Sequence, residues 1–263
     1  SRSKPLDKDV DLARLAKRTP GFSGADLENV LNEAAILTAR ENKKLITQYN
    51  CESALDKVYM GATKKSRILT EEERKITAVH EVGHALAGYL SPHCDPVHKI
   101  SILSRGRALG VTWFLPQEDK HLYSRRKFLD EIVSLLGGRA AEELVFGDIT
   151  TGAGNDLERA TRLARDMVTV YGMSHALGQM TYGEKHGSVF LGKDLMEHRN
   201  YSDETAALID KEIKRMIDDR YRHCQDILAK NRHHLDLISA KLLEKEELSE
   251  DEFKELLAEK KIS

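Results

Sequence analysis

Two histidines four residues apart, with a glutamate directly after the first, stand in the stretch ITAVHEVGHALAGYL as His80, Glu81 and His84. On an α-helix, residues i and i+4 share a face, so both imidazoles can aim a nitrogen at one ion while Glu81 lies about 100° round the axis. The chemistry this spacing predicts is hydrolysis at zinc, which needs neutral nitrogen ligands, an open position for water, and a carboxylate to take the water's proton. His80 and His84 are the expected ligands and Glu81 the expected base. At the chain's own His and Glu frequencies only about 0.04 matches to H-E-x-x-H arise by chance. The surroundings argue further against accident, because Ile76, Val79, Ala87 and Leu90 make an apolar helical flank without proline.

These residues need a helix to place them, and the sequence supplies its start. Thr70 followed three positions on by Glu73 forms a capping box, and the helix it opens is expected to run to about Leu90. Upstream, residues 4–60 read as short helices. The first stops at Thr19-Pro20, the second is capped by Ser23 with Leu27, Val30, Leu31, Ala34 and Leu37 as its apolar stripe, and the third spans Gln48 to Met60. The polar, basic segment GATKKSR, 61–67, reads as a linker, so the chain divides into units 1–62 and 63–263. Downstream, VHKISIL and GVTWFLP read as a hairpin, with Pro116 ending the second strand. Helical patterns resume from Ser124 to Leu136, stop at Gly137-Gly138, and restart through RAAEELVF. A further helix covers Asp156 to about Tyr171, and an irregular stretch reaches Asn200. One long helix then spans Ser202 to about Asn231, and two shorter ones follow, the last capped by Ser249 and Glu252. The fold class expected is mostly α with a small β hairpin or sheet.

Composition narrows the partners. Apolar residues make up 40% of the 263, enough for folded cores, and charged residues 32% with a formal net charge of -2. So balanced a surface has no field for a polyanion, and nucleic-acid binding is set aside. The longest apolar runs fall far short of the ~20 residues that cross a bilayer, so these residues are expected to be soluble. Cys51, Cys94 and Cys224 are an odd, scattered set without CxxC spacing, which fits a reducing compartment and offers no zinc ligand.

A catalytic zinc usually takes three protein ligands and a water. The metzincin continuation would place glycine at 87 and histidine at 90, but the residues are Ala87 and Leu90. The other nine histidines lie in polar or loop contexts where a surface imidazole is the default. Two carboxylates further on are candidates. Glu142, in GGRAAEELVFGD, would have to face inward. Asp156, in TTGAGNDLERAT, opens a helix where it would otherwise serve as a cap or a first-turn acid. Spacing alone leaves both open, although Gly152 and Gly154 allow close backbone approach and favour Asp156 slightly.

HEVGHALAGYL, LLGGRAAEELVFGDITTGAGNDLERATRLARDMV and TPGFSGADLENVLNEAA together closely resemble the FtsH family of membrane-anchored, ATP-dependent zinc proteases. The resemblance covers essentially the whole chain. It implies one zinc per subunit held by His80, His84 and Asp156, with Glu81 as base and Glu142 a lesser rival for third ligand. It implies that residues 1–62 are the helical lid of an AAA+ ATPase module, with Gly24 and Ala25 touching nucleotide, and that 63–263 are a predominantly helical zinc metalloprotease domain. No G-x-x-x-x-G-K-[ST] loop stands in these residues, so ATP and Mg²⁺ are expected only in a longer protein that adds the large ATPase subdomain and a membrane segment. The resemblance further implies a homohexamer that degrades unfolded membrane and soluble polypeptides. Its implied place is the cytoplasmic side of a bacterial inner membrane, with an organellar inner membrane as the alternative.

A protease acting on many sequences gains affinity by pairing an extended substrate with a strand edge. Val111, Thr112, Trp113 and Phe114 are the candidate edge, and an ordinary buried strand is an equal reading of the same residues. Gly106 and Gly110 beside it would let it shift. The competing function is a non-catalytic, zinc-stabilised module for assembling the hexamer. Glu81 speaks against it, because a structural zinc is fully ligated and has no use for a base.

Overall fold

The computed structural model describes residues 4–19, 21–61, 69–104, 109–116, 122–183 and 201–259. Most of the expected linker, Gly106, and the stretch 184–200 lie outside these residues. Three helices come first: α1 (Leu12–Lys17), α2 (Gly24–Arg40) and α3 (Gln48–Met60). Each begins where a polar side chain takes up the free N–H groups of the first turn. Asp11 accepts from Ala13 and Arg14, while Ser23 with Asp26 and Thr47 with Asn50 form reciprocal capping boxes. Their apolar faces close on a core of Leu15, Val30, Ala34, Ile46, Cys51 and Leu55, which Trp113 joins from the later part of the chain.

The predicted capping box at Thr70 and Glu73 opens α4 (Glu71–Tyr89), which ends at Leu90 as expected. From Thr77 to Gly88 every residue of α4 is buried, the pattern of a helix surrounded on all sides. Strands β1 (Val97–Ser101) and β2 (Val111–Phe114) form the expected antiparallel pair, with Ile100 opposite Thr112 and a bulge at His98. The remaining helices are α5 (Arg125–Phe146), α6 (Gly154–Thr169), α7 (Asp203–Lys230), α8 (Arg232–Lys245) and α9 (Glu250–Ala258). The mostly α expectation with a small sheet holds. Among the described residues, no helix is long and apolar enough to cross a membrane.

Two expectations need correction, and the sheet gains a strand. The sheet has a third strand, β3 (Glu247–Ser249), on the far side of β1, giving the order β2-β1-β3. Three residues are too few to show alternation, so only pairing defines it. Gly137 and Gly138 do not stop a helix, because α5 runs straight through them and ends at Gly147, whose φ of 69° is the left-handed conformation a helix stop requires. His98 is not a free surface imidazole: it lies edge-on to Trp113, 5.2 Å between centroids, and burial pushes it down to about 4.

Helix α5 belongs to two cores at once. On one side it meets α4 and α7, in a cluster that includes Val133, Ala140 and Ala141. On the other it meets α6 and α7 through Ile132, Leu135 and Leu136. That double contact brings the histidines of α4 and the start of α6 to one place.

Candidate metal centre

The α4–α5 seam is close enough to exclude ordinary side chains. A methyl group at Gly83 would lie 2.4 Å from the Gly137 carbonyl oxygen, and one at Gly138 would lie 2.5 Å from the His80 ring. Glycine in a helix interior costs about 1 kcal/mol relative to alanine; here it leaves the space that His80 occupies.

Inside the seam, His80 Nε2 and His84 Nε2 are 3.0 Å apart, with the ring planes at 81°. Asp156 Oδ2 lies 3.5 Å from the first and 3.3 Å from the second. Four tetrahedral donors about 2.0–2.1 Å from a zinc ion sit about 3.3–3.4 Å from one another, so three of the four corners are already spaced for it. The outer nitrogens show which lone pairs are free. His80 Nδ1 is 2.6 Å from Glu142 Oε1 and His84 Nδ1 is 2.8 Å from the Ser134 carbonyl oxygen, and an ionised carboxylate and a carbonyl only accept. Each Nδ1 therefore holds a hydrogen, leaving two bare Nε2 lone pairs converging beside a carboxylate oxygen. Only a cation satisfies all three.

Titration follows from the same contacts. Burial opposes charge on the His80 ring, but hydrogen bonds with Asp156 and Glu142 outweigh it and raise it to about 10. A proton and a metal ion thus compete for that lone pair. Burial likewise works against Asp156 and Glu142 as anions. The histidines hold Asp156 well below the usual carboxylate range all the same, and His80 with the Thr150 N–H lowers Glu142. Glu81 goes the other way: burial raises its carboxyl above the ordinary value, against the pull of both imidazoles.

His80, His84 and Asp156 come together. Glu142 is buried on the opposite side of the His80 ring from Asp156, with its second oxygen accepting the Thr150 N–H at 2.7 Å. It thus orients His80 and ties down the turn that precedes α6. Asp156 lies in the first turn of α6, whose N-cap Ala153 gives no side-chain hydrogen bond, so the helix starts without a cap while its acid turns to the imidazoles. Close backbone approach does not explain both nearby glycines, because Gly154 faces open space and only Gly152 nears Glu142, at 3.7 Å for an added methyl. Glu81 is buried, its carboxylate accepting from Thr112 Oγ1 at 2.8 Å. Val111, Thr112, Trp113 and Phe114 form β2, which among the described residues lies at an edge of the sheet, with Trp113 buried. Gly24 and Ala25 are exposed at the start of α2, far along the chain from the cluster. Sequence reasoning missed the orienting partners of the histidines. The spacing of Gly138 and Glu142, i and i+4 on one helix face, was the available signal.

Comparison with known proteins adds family membership. The model of Peptidase family M41 matches residues 67–256. The chain belongs to that family. The model of the AAA+ lid domain matches residues 9–53. The M41 chain is 53% identical over 256 residues to the ATP-dependent zinc metalloprotease FtsH 1 of Thermoanaerobacter sp. (strain X514), covering 97% of this chain and 42% of that protein. It is 52% identical over 259 residues to the ATP-dependent zinc metalloprotease FtsH of Caldicellulosiruptor bescii, covering 98% and 42%. Against the protein of that name from Thermotoga maritima the identity is 50% over 260 residues, covering 98% and 43%. The chain thus spans less than half the length of these curated relatives.

Proposed function

We propose that this chain is the proteolytic part of an ATP-dependent, processive zinc metalloendopeptidase that degrades unfolded membrane and soluble polypeptides. The observation that supports it most is the convergence of two imidazole lone pairs and a carboxylate oxygen at zinc-ligand spacing, next to a buried glutamate. Bound there, zinc supplies a Lewis acid that polarises a carbonyl and makes water a nucleophile at neutral pH. His80, His84 and Asp156 hold the ion, one per subunit. Glu81 accepts a proton from the attacking water on a carboxylate oxygen and delivers it to the leaving amide nitrogen. Its buried, raised carboxyl favours keeping that proton between the two steps.

In this reading the outer edge of β2, Val111 to Phe114, pairs with an extended substrate through main-chain hydrogen bonds. Residues 1–62 form the lid unit and 63–263 the protease unit. Gly24 and Ala25 touch a nucleotide held mainly by the large ATPase subdomain of the full-length protein, which also supplies the Mg²⁺ site. The whole protein is a homohexamer, anchored by a membrane segment with its protease on the cytoplasmic side of a bacterial inner membrane.

The test is zinc stoichiometry together with cleavage of a casein-derived peptide. Glu81→Gln is expected to keep one zinc per chain and lose about 10²–10⁴-fold in turnover. Asp156→Ala is expected to lose both. A Glu81→Gln chain cleaving at the normal rate would remove the assignment of Glu81.

A further inference from the structure

Strand β2 reaches the glutamate of the metal centre from a second direction. Thr112 Oγ1 lies 2.8 Å from Glu81 Oε2 and 2.8 Å from the Glu81 carbonyl oxygen. Two residues earlier, a methyl group at Gly110 would lie 2.7 Å from Glu81 Cγ, 2.7 Å from Oε1 and 2.9 Å from the Ser101 carbonyl oxygen. Positions 110 and 112 share a face of an extended chain, so the strand and its approach fit around the carboxyl: absent bulk against one oxygen, a hydroxyl on the other. We infer that Thr112 is a positioning residue, holding the Glu81 carboxyl in its working orientation from strand β2. This inference rests on the metallopeptidase reading and deepens it, since Thr112 entered that reading only as part of a substrate-binding edge.

A hydroxyl suits this task for a stated reason. It has one hydrogen and two lone pairs, and both Glu81 oxygens in reach are acceptors. While Glu81 is a carboxylate, the hydroxyl donates to Oε2. When Glu81 holds the proton taken from water on its other oxygen, Oε2 is still an acceptor and the hydroxyl goes on donating to it. The carboxyl keeps a partner on both sides of the proton transfer without a change of rotamer.

The strand itself is held firmly enough to act as a support. Phe114, on the same face as Thr112, packs against α4 where Gly88 leaves room: an added methyl there would lie 2.5 Å from the Phe114 ring. Trp113, on the opposite face, is stacked on Tyr59 at 5.0 Å with the Arg18 guanidinium 5.3 Å from its centroid. Alternation thus fixes the strand against α4 on one face and against the N-terminal helices on the other.

The experiment compares the zinc-loaded full chain with Thr112→Val, which keeps the shape without the hydroxyl, and Thr112→Ser, which keeps the hydroxyl. Thr112→Val is expected to bind one zinc, leave KM for the peptide unchanged and lower kcat about tenfold or more, because misplacing a reacting group by about 1 Å is felt at that scale. Thr112→Ser is expected to stay within about twofold of the parent in kcat. Crystal structures of the two variants supply a readout independent of turnover: the Glu81 carboxyl displaced in Thr112→Val and in place in Thr112→Ser. An undisturbed carboxyl in Thr112→Val would overturn the inference, as would a raised KM at unchanged kcat or a loss that Thr112→Ser fails to restore. A parent chain that binds zinc without cleaving peptide would count against the proposed function instead, and the carboxyl position would still decide the role of Thr112.

Discussion

The α4–α5 seam and the face where the N-terminal helices meet β2 are both buried, yet they are made of opposite materials. At the seam, Gly83 meets Gly137 backbone to backbone, and the buried polar groups are the histidines with their orienting partners Glu142 and Ser134. Side-chain rotamers have little part in that contact, so it admits one geometry. The other face is assembled from long side chains. Trp113 lies among Tyr59, Arg18 and His98, and an ion-pair chain runs from Arg18 to Asp56 (3.2 Å), Lys99 (2.8 Å) and Glu247 (3.1 Å). Arg18 Nε is buried there without a partner among the described residues. Contacts of this kind resemble those between domains that shift relative to one another. The metal ligands are therefore held by a contact of backbone on backbone, while the N-terminal helices hold β2 through side chains.

The largest break in this comparison comes from adding one methyl group to the seam. Gly83→Ala puts a carbon 2.4 Å from the Gly137 oxygen and 2.5 Å from the Ala141 Cβ. Both neighbours are backbone or directly attached to it, so relief requires the helices to part. Thermal unfolding should show a loss of about 3 kcal/mol or more, and the chain should no longer hold one zinc at stoichiometric metal. An alanine variant with normal stability and normal zinc would mean the seam is adjustable after all.

Glu142→Gln tests the same region more gently. The amide keeps the shape and its oxygen can still accept from His80 Nδ1, but its NH2 then faces the Thr150 N–H without accepting from it, and the charge that orients and polarises the ring is gone. Zinc affinity is expected to fall about 10–100-fold with the fold intact. The effect should depend on pH in a set direction. His80 is raised to about 10 with Glu142 as one cause, so below that pH metal must displace a proton and affinity drops as pH falls. Without the Glu142 charge the His80 value falls, and competition with protons sets in only at lower pH. Competition titrations of zinc between pH 6 and 9 check both the loss and its flatter slope.

How far the sequence revealed this site follows from which interactions are local. The cap of α4, the pairing of His80 with His84 and the helical register of Glu81 depend on residues within one or two turns, and all were legible from spacing. Asp156 required the family resemblance, because a first-turn acid looks the same whether it faces solvent or a metal. Gly137 and Gly138 look like a stop from the sequence, since intrinsic propensity is the only local information two glycines offer and their use here is set by Gly83, more than fifty positions earlier. Strand β3 was invisible for a similar reason, its three residues being defined by Ile100 across the sheet. Thr112 lay in a segment already noticed, but its hydroxyl meets Glu81 only once β2 has packed on α4.

The smallest effect belongs to the other face. Trp113→Phe keeps a ring in the core but loses indole area over the Arg18 guanidinium and against Tyr59, a change of about 1 kcal/mol. Zinc affinity should be unchanged, since no ligand or orienting group touches that ring. The informative quantity is the ratio of two losses, in stability and in peptide turnover. If the N-terminal helices only cover β2, turnover at saturating zinc stays at the parent value while the unfolding midpoint drops. If they brace the strand that supports Glu81, turnover falls together with stability, and Thr112→Val in the same background lowers it by less than it does alone, because the two substitutions loosen one support. Full additivity of the two in kcat would separate the faces and leave β2 held by α4 alone.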